Sequence, residues 1–372
     1  MNSVTARVPF RLAKEFAQPS SSTSADVSQQ FWEQLTDSRR PTSLNKLAWR
    51  IMRQYVQPQT LLTEFMDDIP WLWQVDNHIA DGCGTSLRLL LKNAAAQRAE
   101  VVVLFPNGKL SSKKLGLSKT QRATACVSSQ PGCGVGCPFC STAKLGYRGN
   151  LTAFEIIEQV YWAGVCAAKA QRRLRNVVFM GMGEPLHNQE SVLHALDILT
   201  SPNGFGLSPR HITVSTAGVP SGMILLAETF PAVRQALSLH AVDRQLRRRL
   251  VPRAVSDLML LHRTLERVND LQIGQPVWLE FVLLNGVNDT LQHAHQLLEF
   301  CHGLNVEVNL IPYNVAGNRA QFSPSTQANR EAFAELLRAS GVRTTFRTSL
   351  GSDVNAACGQ LTAQVGMDES SL

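Results

Sequence analysis

Apolar and polar positions follow two rhythms along this chain. Between residues 124 and 314 the short apolar runs TACVS, NVVFMGMG, HITVST, QALSLHA, VWLEFVLL and VNLIPYN alternate with segments of helical period at 152–172, 188–200, 220–229, 256–268 and 289–303. Six strands with helices between them predict a parallel α/β sheet or barrel. In such folds the residues just past each strand collect at one rim, where sites are built. Upstream, SLRLLLKN and AEVVVLFPNG at 86–108 are two β-rich runs closed by Asn-Gly, which predicts a hairpin. Before them Trp32, Leu35, Leu44, Leu47, Ile51 and Met52 recur at roughly helical intervals, predicting a small helical region. The Ser/Thr-rich stretch AQPSSSTSADVS has little to bury. The expected organisation is a flexible N-terminus at 1–28, a helical accessory region at 29–85, a β-hairpin extension at 86–123, an α/β core at 124–362 and a tail at 363–372.

Composition narrows the class. The chain has 372 residues, 44% of them apolar, enough for a substantial core. Its strongly apolar runs are far shorter than the ~20 residues of a bilayer span, so no membrane helix is expected. The start, MNSVTARVPFRLAKEF, has no apolar run of signal-peptide length. A cytoplasmic protein is expected, with an organelle transit peptide as the competing reading of that Arg- and Ser-containing start. Thirty-six Lys and Arg against 29 Asp and Glu give a formal charge of +7, which suits a polyanionic partner. The cations cluster at Arg39, Arg40, Lys46, Arg50 and Arg53, at Lys109, Lys113 and Lys114, and at Arg244, Arg247, Arg248, Arg249 and Arg253. Solvated helix faces explain any one cluster equally well.

Four of the eight cysteines fall within residues 126–140, which points to metal or redox chemistry and away from a disulfide framework. Cys133, Cys137 and Cys140 form C-x3-C-x2-C, and glycines at 132, 134 and 136 let that loop curl. Structural zinc wants four ligands, usually in two short pairs, and His187, His211 and His240 each stand alone as a fourth. A 4Fe–4S cluster on three cysteines leaves one iron open, as a catalytic site requires. The other strand exits carry Gly181 to Pro185, Ser215-Thr216, Ser238-Leu239-His240 and Asn314.

The C-x3-C-x2-C motif with Phe139 before its last cysteine resembles the radical S-adenosylmethionine (SAM) superfamily. More narrowly, CVSSQPGCGVGCPFCSTAKLG, FMGMGEPLHN, ITVSTAGVP, SLHA, LVP, LLNGVND, VNLIPYN and AACGQL resemble, in order, the RlmN/Cfr family of RNA adenine methyltransferases over about residues 86–362. The resemblance implies a radical SAM partial (β/α)6 barrel with a small N-terminal helical region and a β-hairpin extension. It places Cys133, Cys137 and Cys140 on iron, and Gly183 and Glu184 at the SAM amino group. Ser215, Ser238, Leu239, His240 and Asn314 match further SAM-binding positions. Cys358 matches the cysteine that is methylated and carries the one-carbon unit to the base. Cys126 matches the cysteine that resolves the protein–RNA adduct by forming a disulfide with it. Glu100 resembles the glutamate that accepts the ring proton. Read without the family, Cys126 and Cys358 are small buried hydrophobes and Glu100 a surface strand residue.

The C2 and C8 carbons of adenine carry no nucleophilic lone pair, so a radical on a cysteine-borne methyl group replaces direct attack on SAM. Pro185 in GMGEP resembles the branch that methylates C2, whereas LSPRHITVST resembles the C8 branch. The expected reaction is methylation of C2 of an adenosine in 23S rRNA, and also of tRNA, with C8 as the competing outcome. Expected partners are that RNA, whose phosphates Arg247 to Arg249 would meet, and an electron donor such as flavodoxin or ferredoxin. A monomer is expected. An iron–sulfur or zinc RNA-binding module without methyl transfer is a second reading, and a radical SAM reaction on a small molecule a third. The first 85 residues and VAGNRAQF at 315–322 depart from the family pattern.

Overall fold

The computed structural model describes residues 72–106, 122–202, 204–315, 321–347 and 358–362. Ten strands form one sheet whose spatial order follows the chain. β1 (Trp73–Ala80), β2 (Ser86–Asn93) and β3 (Arg98–Leu104) make an antiparallel meander, and β3 continues antiparallel onto β4 (Arg122–Cys126). From β4 the sheet is parallel through β5 (Arg173–Phe179), β6 (Ile212–Thr216), β7 (Arg234–Ser238), β8 (Val277–Leu283) and β9 (Val306–Pro312), with the short β10 (Thr344–Phe346) at its edge. Strands β4 to β9 are the six expected of the partial barrel. Among the described residues no pairing joins β1 to β10, so the sheet is open.

Helices α1 (Ala153–Lys169), α2 (Gln189–Thr200), α3 (Pro220–Thr229), α4 (Arg244–Leu250), α5 (Leu258–Leu271), α6 (Leu291–Cys301) and α7 (Gln327–Ala339) follow the parallel strands. Local chemistry sets their starts. Thr152 and Glu155 form a reciprocal capping box on α1, and Asp257 accepts the backbone N–H groups of Met259 and Leu260 at the start of α5. Along α5, Leu261, Leu265 and Val268 are buried at helical spacing and join the core between helices and sheet. None of the described helices is long and apolar enough to cross a membrane.

The upstream region differs from expectation. The helical reading of 29–85 meets a strand at Trp73–Ala80, while 29–71 lies outside the described residues. The hairpin is therefore one half of a three-stranded meander. Its turn is built by Asn93, whose N–H donates to the Gln97 carbonyl at 3.0 Å while its Oδ1 accepts the Gln97 N–H at 2.9 Å. Asn107-Gly108, expected to close it, falls outside the described residues.

A buried carboxylate ties this extension to the barrel. Glu158 on α1 accepts the N–H groups of Leu72 at 2.8 Å and Trp73 at 2.9 Å, and the Trp73 indole donates to the Glu155 carbonyl at 2.9 Å. Each buried N–H left without an acceptor costs about 1–3 kcal/mol. Glu158→Ala should therefore lower the unfolding free energy by about 2–4 kcal/mol, and Glu158→Gln by less. Denaturant unfolding followed at Trp73 fluorescence checks this.

Candidate active site

The parallel strands all end at one rim, and a cleft opens there with about 1010 Å³ of space including its open mouth. Cys133, Cys137 and Cys140 line it from the loop after β4, and Gly183 and Glu184 from the β5 exit. Ser215, Ser238, His240, Asn314 and Cys358 complete the set of expected residues on its wall.

Three expected residues are placed differently. Leu239 is fully buried in the helix-side core and contributes its carbonyl to the rim, not its side chain to the cleft. Cys126 lies beneath the wall, packed with Val102, Met182 and Leu361. Glu100 is fully buried on β3, outside the cleft lining, where its carboxylate accepts the Thr362 N–H at 3.2 Å and faces Arg88 Nη1 at 3.7 Å.

The rim is fixed by buried polar side chains. Both oxygens of Glu184 accept backbone N–H groups, Leu186 at 3.0 Å and Ala217 at 2.6 Å, joining the β5 and β6 exits. Burial raises the pKa of Glu184. A carboxylate has room for more than one donor per oxygen, so it can still meet an ammonium. Gly183 has φ of 100°, and a Cβ there would meet the Gln130 Cβ at 2.6 Å, so no larger residue fits beside the loop. Ser215 and Ser238 hydroxyls lie 3.3 Å apart on adjacent exits. His240 Nδ1 accepts the Val282 N–H at 3.2 Å, and its ring stands edge-on to Phe139 with centroids 5.0 Å apart. Burial lowers the His240 pKa to about 3, so the ring is neutral and carries its proton on Nε2.

The thiols are held back by burial. It pushes Cys133 up to about 11, and raises Cys137 well above its ordinary value together with its neighbours Cys140 and Cys133. Cys140 is raised for the same first reason. All eight cysteines are free, Cys126 and Cys358 among them. Burial and then the proximity of Cys358 push Cys126 to about 12, opposed by Arg347. Burial opposes the charge of Arg347, but Cys358, Glu280 and Cys126 outweigh it and its pKa is raised. Arg347 Nη1 also lies 3.5 Å from Glu280.

Three soft thiols, close enough to act on one another electrostatically, share one wall of the cleft. A 4Fe–4S cube takes one thiolate per iron, and three thiols from one loop suit a cube that keeps one iron open. The neighbouring Glu184, Ser215, Ser238 and Asn314 supply the acceptors and donors an amino acid head group needs.

The sequence reading missed Arg347 and Glu280. A lone acid in VWLEFVLL and an arginine ending VRTTFR were the available signals for them. Arg247 is a correction: it does not meet solvent, so it contacts no phosphate. It is fully buried, donating to the carbonyls of Val255 at 2.8 Å and Ser238 at 3.0 Å and to those of Leu239 and Ala217. One turn of α4 turns it inward and leaves Arg248 and Arg249 exposed.

A parallel sheet that gathers three thiols and a ring of polar exits around one cleft is the architecture of a radical SAM enzyme, and residues 127–301 match the radical SAM superfamily. The chain is 44% identical over 246 residues to an RNA methyltransferase of Rhodopirellula baltica, and 41% identical over 253 residues to the dual-specificity RNA methyltransferase RlmN of Ruthia magnifica. These matches cover 66% and 67% of this chain, and 65% and 70% of the respective relatives. A crystal structure of a radical SAM methyltransferase from Sphaerobacter thermophilus superposes with a TM-score of 0.75 at 32% identity, over 91% of this chain and 98% of that one. The chain belongs to the RlmN family of radical SAM RNA methyltransferases. That membership brings a 4Fe–4S cluster and SAM.

Arg247→Met removes donors from four carbonyls, those of Leu239 and Ala217 buried, and should cost at least about 3 kcal/mol in stability. Arg248→Ala and Arg249→Ala should stay within about 0.5 kcal/mol of the parent. Chemical denaturation of the three variants under one set of conditions checks the contrast.

Proposed function

We propose that this protein methylates C2 of an adenosine in 23S rRNA, and also acts on tRNA, through a methyl group carried on Cys358. The observation that carries the reading is the convergence on one cleft of two separate thiol sets, the C-x3-C-x2-C cysteines and Cys358, with Cys126 close enough beneath to feel its charge. A module that only bound RNA through a metal would have no use for the second set. The RlmN names of its relatives favour C2 over C8.

When bound, the cluster and SAM supply an electron, a methyl group and the means to abstract a hydrogen atom from that methyl group. The remaining work falls to the chain. Glu184, with Gly183, orients the SAM amino group, while Ser215, Ser238 and Asn314 meet its other polar atoms. Cys358 Sγ takes the methyl group and presents it to the base. Glu100 accepts the proton lost from the ring, and the surplus electron of the adduct would return to the cluster, which restores the aromatic ring. Cys126, as a thiolate, then attacks Cys358 Sγ: an S–S bond forms, the S–C bond breaks, the departing methylene carbon takes up a proton to become the methyl group, and an external reductant returns both thiols. Arg347 beside Cys126 favours the thiolate of that attacking sulfur. Structured RNA with an accessible adenosine is the substrate these residues suit. A small redox protein such as flavodoxin or ferredoxin supplies the electron, and the enzyme works as a cytoplasmic monomer.

With the cluster reconstituted anaerobically, total rRNA and tRNA should yield 2-methyladenosine by nucleoside mass spectrometry. Cys358→Ala should yield none, and Cys126→Ala should accumulate a covalent protein–RNA adduct. Cleavage of SAM with no modified adenosine in any RNA overturns the substrate; 8-methyladenosine overturns the ring position. Removing the exposed charges of Arg248 and Arg249 should flatten the dependence of log affinity on log salt by about one to two, read in a filter-binding titration.

A further inference from the structure

We propose that Arg88 is the positioning residue for Glu100, holding its carboxylate ionised and fixed against the segment that carries Cys358, so that it can accept the ring proton. This rests on the reading of Glu100 as the proton acceptor.

The register places them together. Across β2 and β3, Arg88 pairs with Val102 and Leu90 with Glu100, so Arg88 and Glu100 are diagonal neighbours on one face. Leu87, Leu89 and Leu91 point to the helix-side core, so Arg88 interrupts SLRLLLKN on the opposite face, toward Val102, Cys126 and Leu361. Both charged side chains are buried, at 7% and 0% exposure, with Nη1 and Oε2 3.7 Å apart. Packing alone asks for no cation here, since a leucine would fill the position, and burying an arginine is costly unless it is paired.

The other carboxylate oxygen is held as well. Thr362, four residues beyond Cys358, donates its N–H to Glu100 Oε1 at 3.2 Å. The backbone is pinned too: Ser128 Oγ donates to the Glu100 carbonyl at 2.6 Å and accepts the Met182 N–H at 2.9 Å, from the β5 exit. Among the described residues, the other charged or titratable groups in this region are Arg98 on β3, engaged by Asp76 of β1 at 3.1 Å, Cys126 on β4, Cys358, and Arg347, whose Nη1 lies 3.5 Å from Glu280. Arg88 is the cation that the structure places against Glu100 Oε2.

The chemistry needs that cation. A buried carboxylate without a positive neighbour tends to take up a proton from solvent and is then useless as a base. Arg88, 3.7 Å from Oε2, favours the ionised form of Glu100. In the step itself the ring C–H bond breaks, its electron pair stays in the ring, and the proton forms an O–H bond on Glu100. The neutralised acid then leaves Arg88 unanswered, which favours release of the proton before the next turnover.

The test compares Arg88→Met, Arg88→Lys and Glu100→Gln with the parent, measuring RNA methylation against pH, 5′-deoxyadenosine formation, Cys358 methylation and the covalent RNA adduct. In Arg88→Met the two steps that precede proton transfer should stay within about twofold. RNA methylation at pH 7 should fall at least about tenfold, adduct should build up, and the acid limb of the pH profile should move upward by on the order of one to three units. Arg88→Lys should restore most of the loss. An unmoved acid limb in Arg88→Met, or an equal loss of every step that lysine does not mend, overturns the role of Arg88. Normal RNA methylation by Glu100→Gln overturns the reading of Glu100 itself, whatever the Arg88 variants do.

Discussion

Where a parallel strand ends, its backbone loses ladder partners, and in this protein that loss occurs in the buried wall of the cleft. Side chains make it good. Arg247 serves the carbonyls of Ala217, Ser238 and Leu239 from the β6 and β7 exits, and Glu184 takes the N–H of Ala217 from the other direction. Gln130 accepts the Glu184 N–H at 3.0 Å, Gln159 brackets Ser128, and Asn288 donates to the carbonyls of His240 and Val282. The chain of bonds runs from the β4 exit to the β8 exit. Each member holds its neighbour's backbone, so the positions of Ser215, Ser238 and His240 depend on buried side chains behind them, Arg247 and Asn288 among them.

The same burial that makes this network necessary governs the cysteines. Cys166 and Cys301, which sit in the helix-side core, are pushed to about 12 by burial, as Cys126 is. A raised thiol is therefore no mark of function in this molecule. Neighbours supply the difference: Cys126 has Cys358 and Arg347 beside it, and the three cluster cysteines have one another. Inert thiols become ligands or nucleophiles only when a metal or a cation takes the place of the proton.

Much of this was legible in order. Strands β4 to β9 and helices α1, α2, α3, α5 and α6 follow from alternating apolar runs and helical period, because each buries one continuous face. α4 was not, since RQLRRRL shows only Arg247 and Leu250 inward and a buried arginine imitates a solvated one. α7 hides similarly, burying Phe333, Ala334 and Leu337 within a polar segment. β1 reads poorly because WQVDNHIA carries a bulge between Val75 and Asn77 that breaks its alternation. At the site, the cluster loop and strand exits were local and readable. What no local pattern contains is a long-range pairing, such as Arg347 with Glu280 or Thr362 with Glu100, the latter across 262 positions.

Those pairings explain how one short segment can serve the whole cleft. Residues 358–362 are joined to the cluster loop by Ser141 N–H to the Gly359 carbonyl at 2.7 Å and Thr142 Oγ1 to the Leu361 carbonyl at 2.8 Å. Asn314 donates to the Cys358 carbonyl at 3.3 Å, and Gln360 donates to the Val315 carbonyl at 3.0 Å, which fixes the segment to the β9 exit. Thr362 fixes it to the extension. Cys358 therefore takes its position from the loop of the cluster thiols, from the last long strand of the barrel and from the meander added in front of it. The meander cannot be an ornament on the barrel: without β3 the Cys358 segment loses one of its three anchors and Glu100 loses its place beside it. The extension and the barrel are one packed unit, and a buried carboxylate on α1 holds β1 in place from the barrel side.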